Sequence, residues 1–345
     1  MTRTGPIRVL VIDDSAFARK VVRECLSRSP AVEVVGIARD GLDALEQIVD
    51  LKPDVVTLDL IMPNLDGLGV MRALPRFPNP PRVVIVSISN SESDLVVEAL
   101  RLGAVDLVHK PTALASDRLY ELADDLIAKV TAAAESRFPT AAPASTAPPR
   151  AVAAPGRRGV QLVVIGTSTG GPQALTRLLT ALPAELPCAV AVALHIPAGY
   201  TEALARRLNG DAAISVVEAA PGAPLPAGTA AIARGGLHLA VERGPSGLIM
   251  RVGAEPTGTP FCPSVDVLFE SAARLGPAAL GVVLTGMGSD GVAGARAIRE
   301  AGGRVLTEAE ASCVVYGMPR AVKEAGLSDG EAEIDQMAAR IAEQI

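Results

Sequence analysis

The sequence predicts two α/β units in series, each built on a mostly parallel sheet, and three observations carry that reading. Short apolar, β-branched runs alternate with helix-period segments from residue 7 to about residue 131. The same alternation resumes near residue 160. Between them, residues 132–159 hold ten Ala and five Pro with almost no large apolar side chain. Such a stretch cannot bury enough surface to offset its ordering entropy and reads as an extended linker. The 345 residues suit two domains of roughly 100–200 residues each.

In the first unit, residues 1–131, the strand candidates are Ile7–Ile12, Val32–Ile37, Val55–Leu58, Val83–Val86 and Val105–Val108. Helical patterns lie between them, as in Ala16–Leu26, Leu42–Val49 and Leu95–Leu102. Five strands alternating with helices make a (βα)5 parallel sheet covered on both faces, which binds ligands at the carboxyl ends of its strands. The linker's first residues, Ala132–Ser136, extend the helix before it. In the second unit, residues 160–345, strands are expected at Leu162–Ile165, Ala189–Leu194, Ala279–Leu284 and Arg304–Leu306. Helices are expected at Gln173–Leu182, Thr201–Leu208, Val292–Glu300 and Met318–Ala325, giving a doubly wound sheet. Between about 214 and 252 short strands and Gly/Pro turns suggest an antiparallel excursion.

Composition narrows the function. The net charge is −6, divided as −4 over 1–131, +3 over 132–159 and −5 over 160–345. Neither unit has the basic balance that phosphate contacts need, and eight aromatics without a Trp give little to stack bases on, so no nucleic-acid partner is expected. Cys25, Cys188, Cys262 and Cys313 form no C-x-x-C pair and suit a reducing cytosol. The opening apolar run is too short and too acidic for a signal peptide, and no run approaches the ~18 residues of a membrane span. The expectation is a cytoplasmic protein without membrane insertion. Only His109, His195 and His238 could serve as a neutral-pH base.

Asp13 and Asp14 end the first predicted strand, Asp59 the third, Ser87 the fourth and Lys110 the fifth. In a parallel sheet these ends share one edge. Three carboxylates together repel one another unless a hard cation such as Mg²⁺ sits among them, and a lysine and a hydroxyl suit phosphoryl oxygens. The stretches Val11-Ile-Asp-Asp-Ser15, Leu58-Asp-Leu-Ile-Met-Pro63, Asp66-Gly67, Ser87 and Lys110-Pro111 resemble a response-regulator receiver domain. The resemblance implies that Asp59 accepts phosphate, that Asp13 and Asp14 with Asp59 hold Mg²⁺, and that Ser87 and Lys110 read the phosphoryl group. The plainer alternative for the acidic residues is helix capping.

In the second unit the apolar run Val163–Ile165 leads into Gly166-Thr-Ser-Thr-Gly170-Gly-Pro172. Gly166-x-Ser168-x-Gly170 matches a nucleophile elbow, a sharp turn that exposes a hydroxyl beside a helix N-terminus. A glycine-rich phosphate cradle is the competing reading, although neither nucleotide-binding spacing is met. A serine nucleophile needs a base. His195 ends a predicted strand and His109 belongs to the other unit. His238, in Leu237-His-Leu-Ala-Val241, alternates away from the leucines like a solvent-facing strand residue. Asp290, after the strand Ala279–Leu284, can orient His195, or act merely as an N-cap. A rival triad, Ser168–Asp211–His238, follows the α/β-hydrolase order but draws on residues away from the strand edge of Ser168.

Ile165–Gly171, His195-Ile-Pro197, Pro263–Phe269, Leu284–Gly291 and Ser312–Pro319 resemble the catalytic domain of the chemotaxis protein-glutamate methylesterases, the CheB family. With the receiver and the linker, the resemblance spans the whole chain in the family's order. It implies hydrolysis of glutamate γ-methyl esters on methylated chemoreceptors, with deamidation of receptor glutamines as a further activity, and a histidine kinase of CheA type as phosphodonor. It makes Ser168 nucleophile, His195 base and Asp290 its partner, places the oxyanion on Thr169 and the Met287 N–H, and requires no cofactor for catalysis. A phosphorylatable module tethered to a hydrolase by a compliant linker suggests autoinhibition, the receiver covering the Ser168 groove until phosphorylation of Asp59 shifts the population toward an open form. Leu194, Ala233-Arg-Gly-Gly-Leu237 and Glu308–Glu310 depart from the family's usual residues, which bears on substrate preference. A non-catalytic response-regulator output and a serine hydrolase of another acyl substrate stay open as alternatives.

Overall fold

The computed structural model describes residues 5–87, 92–110, 116–136 and 159–345. They form two compact units divided at Ser136. Pro111 and residues 137–158, most of the expected linker, lie outside the described residues.

The first unit alternates β1 (Ile7–Ile12), α1 (Ala16–Leu26), β2 (Val32–Ala38), α2 (Gly41–Leu51), β3 (Val55–Leu58), α3 (Gly67–Ala73), β4 (Arg82–Ser87), α4 (Ser93–Arg101), β5 (Asp106–His109) and α5 (Ser116–Glu135). The five strands are parallel in the order β2-β1-β3-β4-β5. All four residues of β3 are buried, as the unbroken apolar run demands of a strand covered on both faces. Helix starts follow from capping: Ser15 accepts from the Ala18 N–H, Asp40 from Leu42 and Asp43, and Asp66 from Gly69. Each such cap is worth about 1 kcal/mol. The chain leaves β1 for β2 on one side, and β3 lies on the other, so the carboxyl ends of β1 and β3 flank the topological switch point.

The second unit contains β6 (Leu162–Thr167), α6 (Gly171–Ala181), β7 (Ala189–Leu194), α7 (Thr201–Asp211), β8 (Ser215–Glu218), β9 (Thr229–Ile232), β10 (His238–Gly244), β11 (Gly247–Gly253), α8 (Val265–Ala273), β12 (Ala279–Val283), α9 (Val292–Glu300), β13 (Arg304–Glu308), α10 (Met318–Glu324), β14 (Gly330–Ala332) and α11 (Ile334–Ala342). Seven strands form one parallel sheet in the order β14-β13-β12-β6-β7-β9-β8. Its core is aliphatic around Phe269, as an aromatic-poor sequence requires.

The antiparallel excursion is narrower than the sequence suggests. Among the described strands only β10 and β11 pair antiparallel, with a single antiparallel bridge from Pro224 to Ile249 beside them. β8 and β9 extend the main sheet in parallel. Pro221, Gly222, Pro224, Pro226 and Gly228 read as hairpin turns, but the connection 219–228 carries the chain back to the start of the sheet before β9 begins. Strand β14 and helices α8 and α11 carry weaker patterns and emerge only in the structure. In this sheet β6 is central, with β7 on one side and β12 on the other, which sets its switch point at the carboxyl end of β6.

Candidate functional site

Ser168 follows β6 on a turn that the backbone holds from several directions. Its N–H donates to the Thr285 carbonyl at 3.1 Å and its carbonyl accepts from Gly171 at 2.7 Å. The Thr167 hydroxyl donates to the same Thr285 carbonyl at 2.7 Å. Gly170 sits at φ +77°, and a Cβ there would meet Val314 Cβ at 2.5 Å, so the turn requires glycine. Pro172 then falls in the first turn of α6, where its missing N–H costs nothing.

His195 leaves the neighbouring strand in register: Thr167 pairs with Leu194, and the His195 N–H donates to the Thr167 carbonyl at 3.0 Å. Ser168 and His195 therefore emerge side by side. His195 Nε2 lies 2.8 Å from Asp290 Oδ2. A carboxylate accepts only, so Nε2 carries the proton and Nδ1 the lone pair. Nδ1 is buried and has no hydrogen-bond partner among the described residues.

Asp290 is buried and accepts three further bonds, from Val265 N–H at 2.7 Å, Asp266 N–H at 2.9 Å and the Ser264 hydroxyl at 3.1 Å. These donors form the N-terminus of α8, a favourable place for a negative charge. Burial alone would raise its pKa, but the bonds from His195, Asp266 and Val265 outweigh it and hold the carboxyl below its ordinary value. Asp266 returns the arrangement, accepting from Gly291 at 2.9 Å and Gly294 at 2.7 Å at the start of α9. Each aspartate thus caps the other's helix, and burial raises the Asp266 pKa.

The structure brings His195 and Asp290 into contact and sets Ser168 on the adjoining strand end. The two expected oxyanion residues lie on joined segments. Thr169 is buried and its carbonyl accepts from the Thr285 hydroxyl at 3.0 Å. Met287 is half-buried on a loop fixed through Gly286, which bonds Val315 at 3.0 Å and Met318 at 2.9 Å. The rival members stay apart: Asp211 pairs with Arg207 at 2.9 Å on the exposed surface of α7. His238 is 3 % exposed, not solvent-facing. Its ring is bonded by Thr259 and Ser264 of the segment 259–264, a packing that strand alternation cannot foresee.

The roles of four residues escaped the sequence. Phe261 stacks on the His195 ring with centroids 4.2 Å apart and an 11° interplanar angle. Ser264 and Asp266 stood in a quoted motif without a role, although a serine before an apolar helical run is itself a capping signal. Glu308, fully buried in β13, accepts from the Thr285 N–H at 2.8 Å and the Ser312 hydroxyl at 2.9 Å, and burial raises its pKa. Of the other departures, Leu194 is core and Arg234 is exposed, 3.7 Å from Glu218.

In the first unit, oxygens of Asp13, Asp14 and Asp59 lie within 4.8 Å of one another. Asp13 and Asp59 are buried and Asp14 is exposed. Lys110 Nζ is 2.6 Å from Asp13 and 2.9 Å from Asp59. Burial pushes the Asp13 pKa up despite Lys110. The Ser87 hydroxyl bonds Glu92 at the same edge. An all-oxygen donor set of this kind fits a hard divalent cation.

A parallel (βα)5 sheet with an acidic, lysine-bearing edge, followed by a second sheet with Ser, His and Asp at its switch point, defines a response regulator with a hydrolase-type output. Comparison with known proteins agrees: residues 9–123 match the response regulator receiver domain and residues 163–341 match CheB methylesterase. The chain belongs to the CheB methylesterase family. It is 60 % identical over 343 residues to a Myxococcus xanthus protein-glutamate methylesterase/protein-glutamine glutaminase, covering 98 % of each chain. It is 43 % identical over 348 residues to a Geobacillus kaustophilus protein of that name, covering 98 % of this chain and 99 % of the other. The crystal structure of the Thermotoga maritima CheB methylesterase catalytic domain is similar at TM-score 0.52 and 33 % identity, spanning 54 % of this chain and 98 % of that one. Among the described residues no helix is long and apolar enough to cross a membrane.

Proposed function

We propose that the chain hydrolyses glutamate γ-methyl esters on chemoreceptors, and deamidates receptor glutamines at the same site, under control of phosphorylation at Asp59. The observation that carries it is the His195–Asp290 pair beside the Ser168 turn, with the basic nitrogen Nδ1 unpartnered among the described residues. Ser168 Oγ attacks the ester carbonyl as His195 Nδ1 takes its proton. Asp290 stabilises the imidazolium. The tetrahedral oxyanion is received at Thr169 and the Met287 N–H. Methanol, or ammonia from a carboxamide, leaves with the proton from His195. Water then repeats the sequence on the acyl-enzyme with His195 again as base.

In the receiver, Asp13, Asp14 and Asp59 would hold Mg²⁺, which when bound neutralises phosphoryl charge. Asp59 accepts the phosphoryl group from a histidine kinase of CheA type. Lys110, ion-paired with Asp13 and Asp59, and Ser87 are at hand to meet its oxygens. Phosphorylation shifts the population from a restrained to an active form. The proposed limits are receiver 1–131, linker 132–159 and hydrolase 160–345. The test is methanol release from methylated receptor membranes, with and without a small phosphodonor. Ser168→Ala is expected to abolish release while Asp59 still takes up phosphate; release that survives the substitution overturns the nucleophile.

A further inference from the structure

Resting on the proposed roles of Ser168, His195 and Asp290, we infer that Phe261 is a positioning residue for His195, held on the imidazole by a short strap that His238 fastens at both ends. The strap is 259–264. At one end the Thr259 hydroxyl lies 3.2 Å from His238 Nε2. At the other the Ser264 N–H donates to His238 Nδ1 at 3.1 Å. A third fastening joins the Gly236 N–H to the Cys262 carbonyl at 3.2 Å. Phe261 lies between these points, 38 % exposed yet stacked on His195.

The hydrogen-bond directions form a consistent set. Because Ser264 donates to Nδ1, neutral His238 carries its proton on Nε2 and donates it to Thr259. Thr259 in turn donates to the Phe261 carbonyl at 3.0 Å. Every donor in the chain has an acceptor only while His238 is neutral, and burial lowers its pKa in that sense. Ser264 also donates to Asp290 and caps α8. One side chain therefore sets both the ring that covers His195 and a group that orients its carboxylate.

His195 needs this support. Asp290 fixes one edge of the ring, but no second hydrogen bond holds Nδ1 among the described residues. A face-stacked aromatic restricts rotation of the imidazole and excludes water without competing for Nδ1.

The experiment uses the full chain with methylated receptor membranes. Phe261→Ala is expected to lower kcat by about tenfold or more with KM changed by less than about twofold. It should also broaden the downfield NMR resonance of the His195 Nε2–H. Phe261→Tyr, which keeps the ring, restores both. His238→Ala repeats the loss, whereas His238→Asn, whose Oδ1 replaces the Nδ1 acceptor, recovers most of it. A Phe261→Ala enzyme with unchanged kcat, a change confined to KM, or an undisturbed resonance overturns the inference. Should His238→Ala fail to fold, Phe261→Ala decides alone, its side chain being partly exposed. Ser168→Ala is run alongside: persistent hydrolysis there refutes the nucleophile, while the resonance still tests Phe261.

Discussion

If His195 is the base of the proposed triad, its action depends on what its neighbours permit, and single atoms around it should have large effects. Gly286 packs directly against Ser168. A Cβ there would meet Ser168 Cβ at 2.9 Å and Ser168 N at 3.0 Å, besides Met318. Gly286→Ala should push Ser168, the proposed nucleophile, out of line and lower kcat by about 10²-fold, the order expected for misplacement near 1 Å, with a smaller effect on thermal stability. Steady-state kinetics set against a melting curve check this, and an unchanged kcat would count against the geometry. Asp290→Asn keeps the shape but favours the wrong imidazole tautomer, and should cost on the order of 10⁴-fold in kcat. Its stability effect has a defined sign. The folded carboxyl titrates below its ordinary value, so its contribution is complete above the unfolded pKa of ~3.9 and is lost as pH falls through the folded one. Wild type and Asp290→Asn should therefore differ most in melting temperature above about pH 4, and the difference should shrink on further acidification.

At the scale of elements, what the sequence shows depends on how local the cause is. The strands beside the site were legible because apolar runs buried on both faces have few other solutions. The placement of Ser168, His195 and Asp290 beyond strand ends was legible because each follows such a run. Helix α8 carried a local start signal in Ser264, but its exchange with Asp290, 25 residues away in sequence from Val265, was not legible. The buried face of His238 was hidden for the same reason: its cover comes from the distant strap. Glu308 shows how a buried group joins elements. It ties β13 to the Thr285 loop and, through Ser312, to the Ile334 N–H at the start of α11. Its folded pKa is raised, so the native state keeps a proton that the unfolded chain has released, and stability falls as pH rises from ~4.3 toward the folded value. Glu308→Gln can still accept from Thr285 and donate to Ser312. The variant should lose that decline and melt higher than wild type at neutral pH, each tenfold change in acidity constant being about 1.4 kcal/mol. Melting curves from pH 4 to 8 test it, and parallel curves would sink it.

At the scale of the whole molecule, the sequence disclosed an order of parts more readily than their coupling. Two apolar alternations separated by an Ala/Pro stretch announce two units, because each must bury its own core while the stretch between cannot. Coupling leaves no such pattern. It depends on a difference in free energy between two states of the joined chain, to which composition is blind. The acidic edge of the first unit and the Ser-His-Asp edge of the second make a specific version testable. If the receiver restrains the hydrolase, residues 160–345 alone should release methanol faster than the unphosphorylated full chain, by about tenfold for each 1.4 kcal/mol of restraint. Phosphodonor should raise the full chain toward the isolated unit. Asp59→Asn should keep the full chain's basal rate but lose the response. Lys110 sharpens the last point, because it bridges Asp13 and Asp59, where the proposed phosphoryl charge would be added. Lys110→Ala should still take up phosphate on Asp59 while the activation is blunted. Equal basal rates for the full chain and residues 160–345 would exclude restraint and leave phosphorylation to act by some other route.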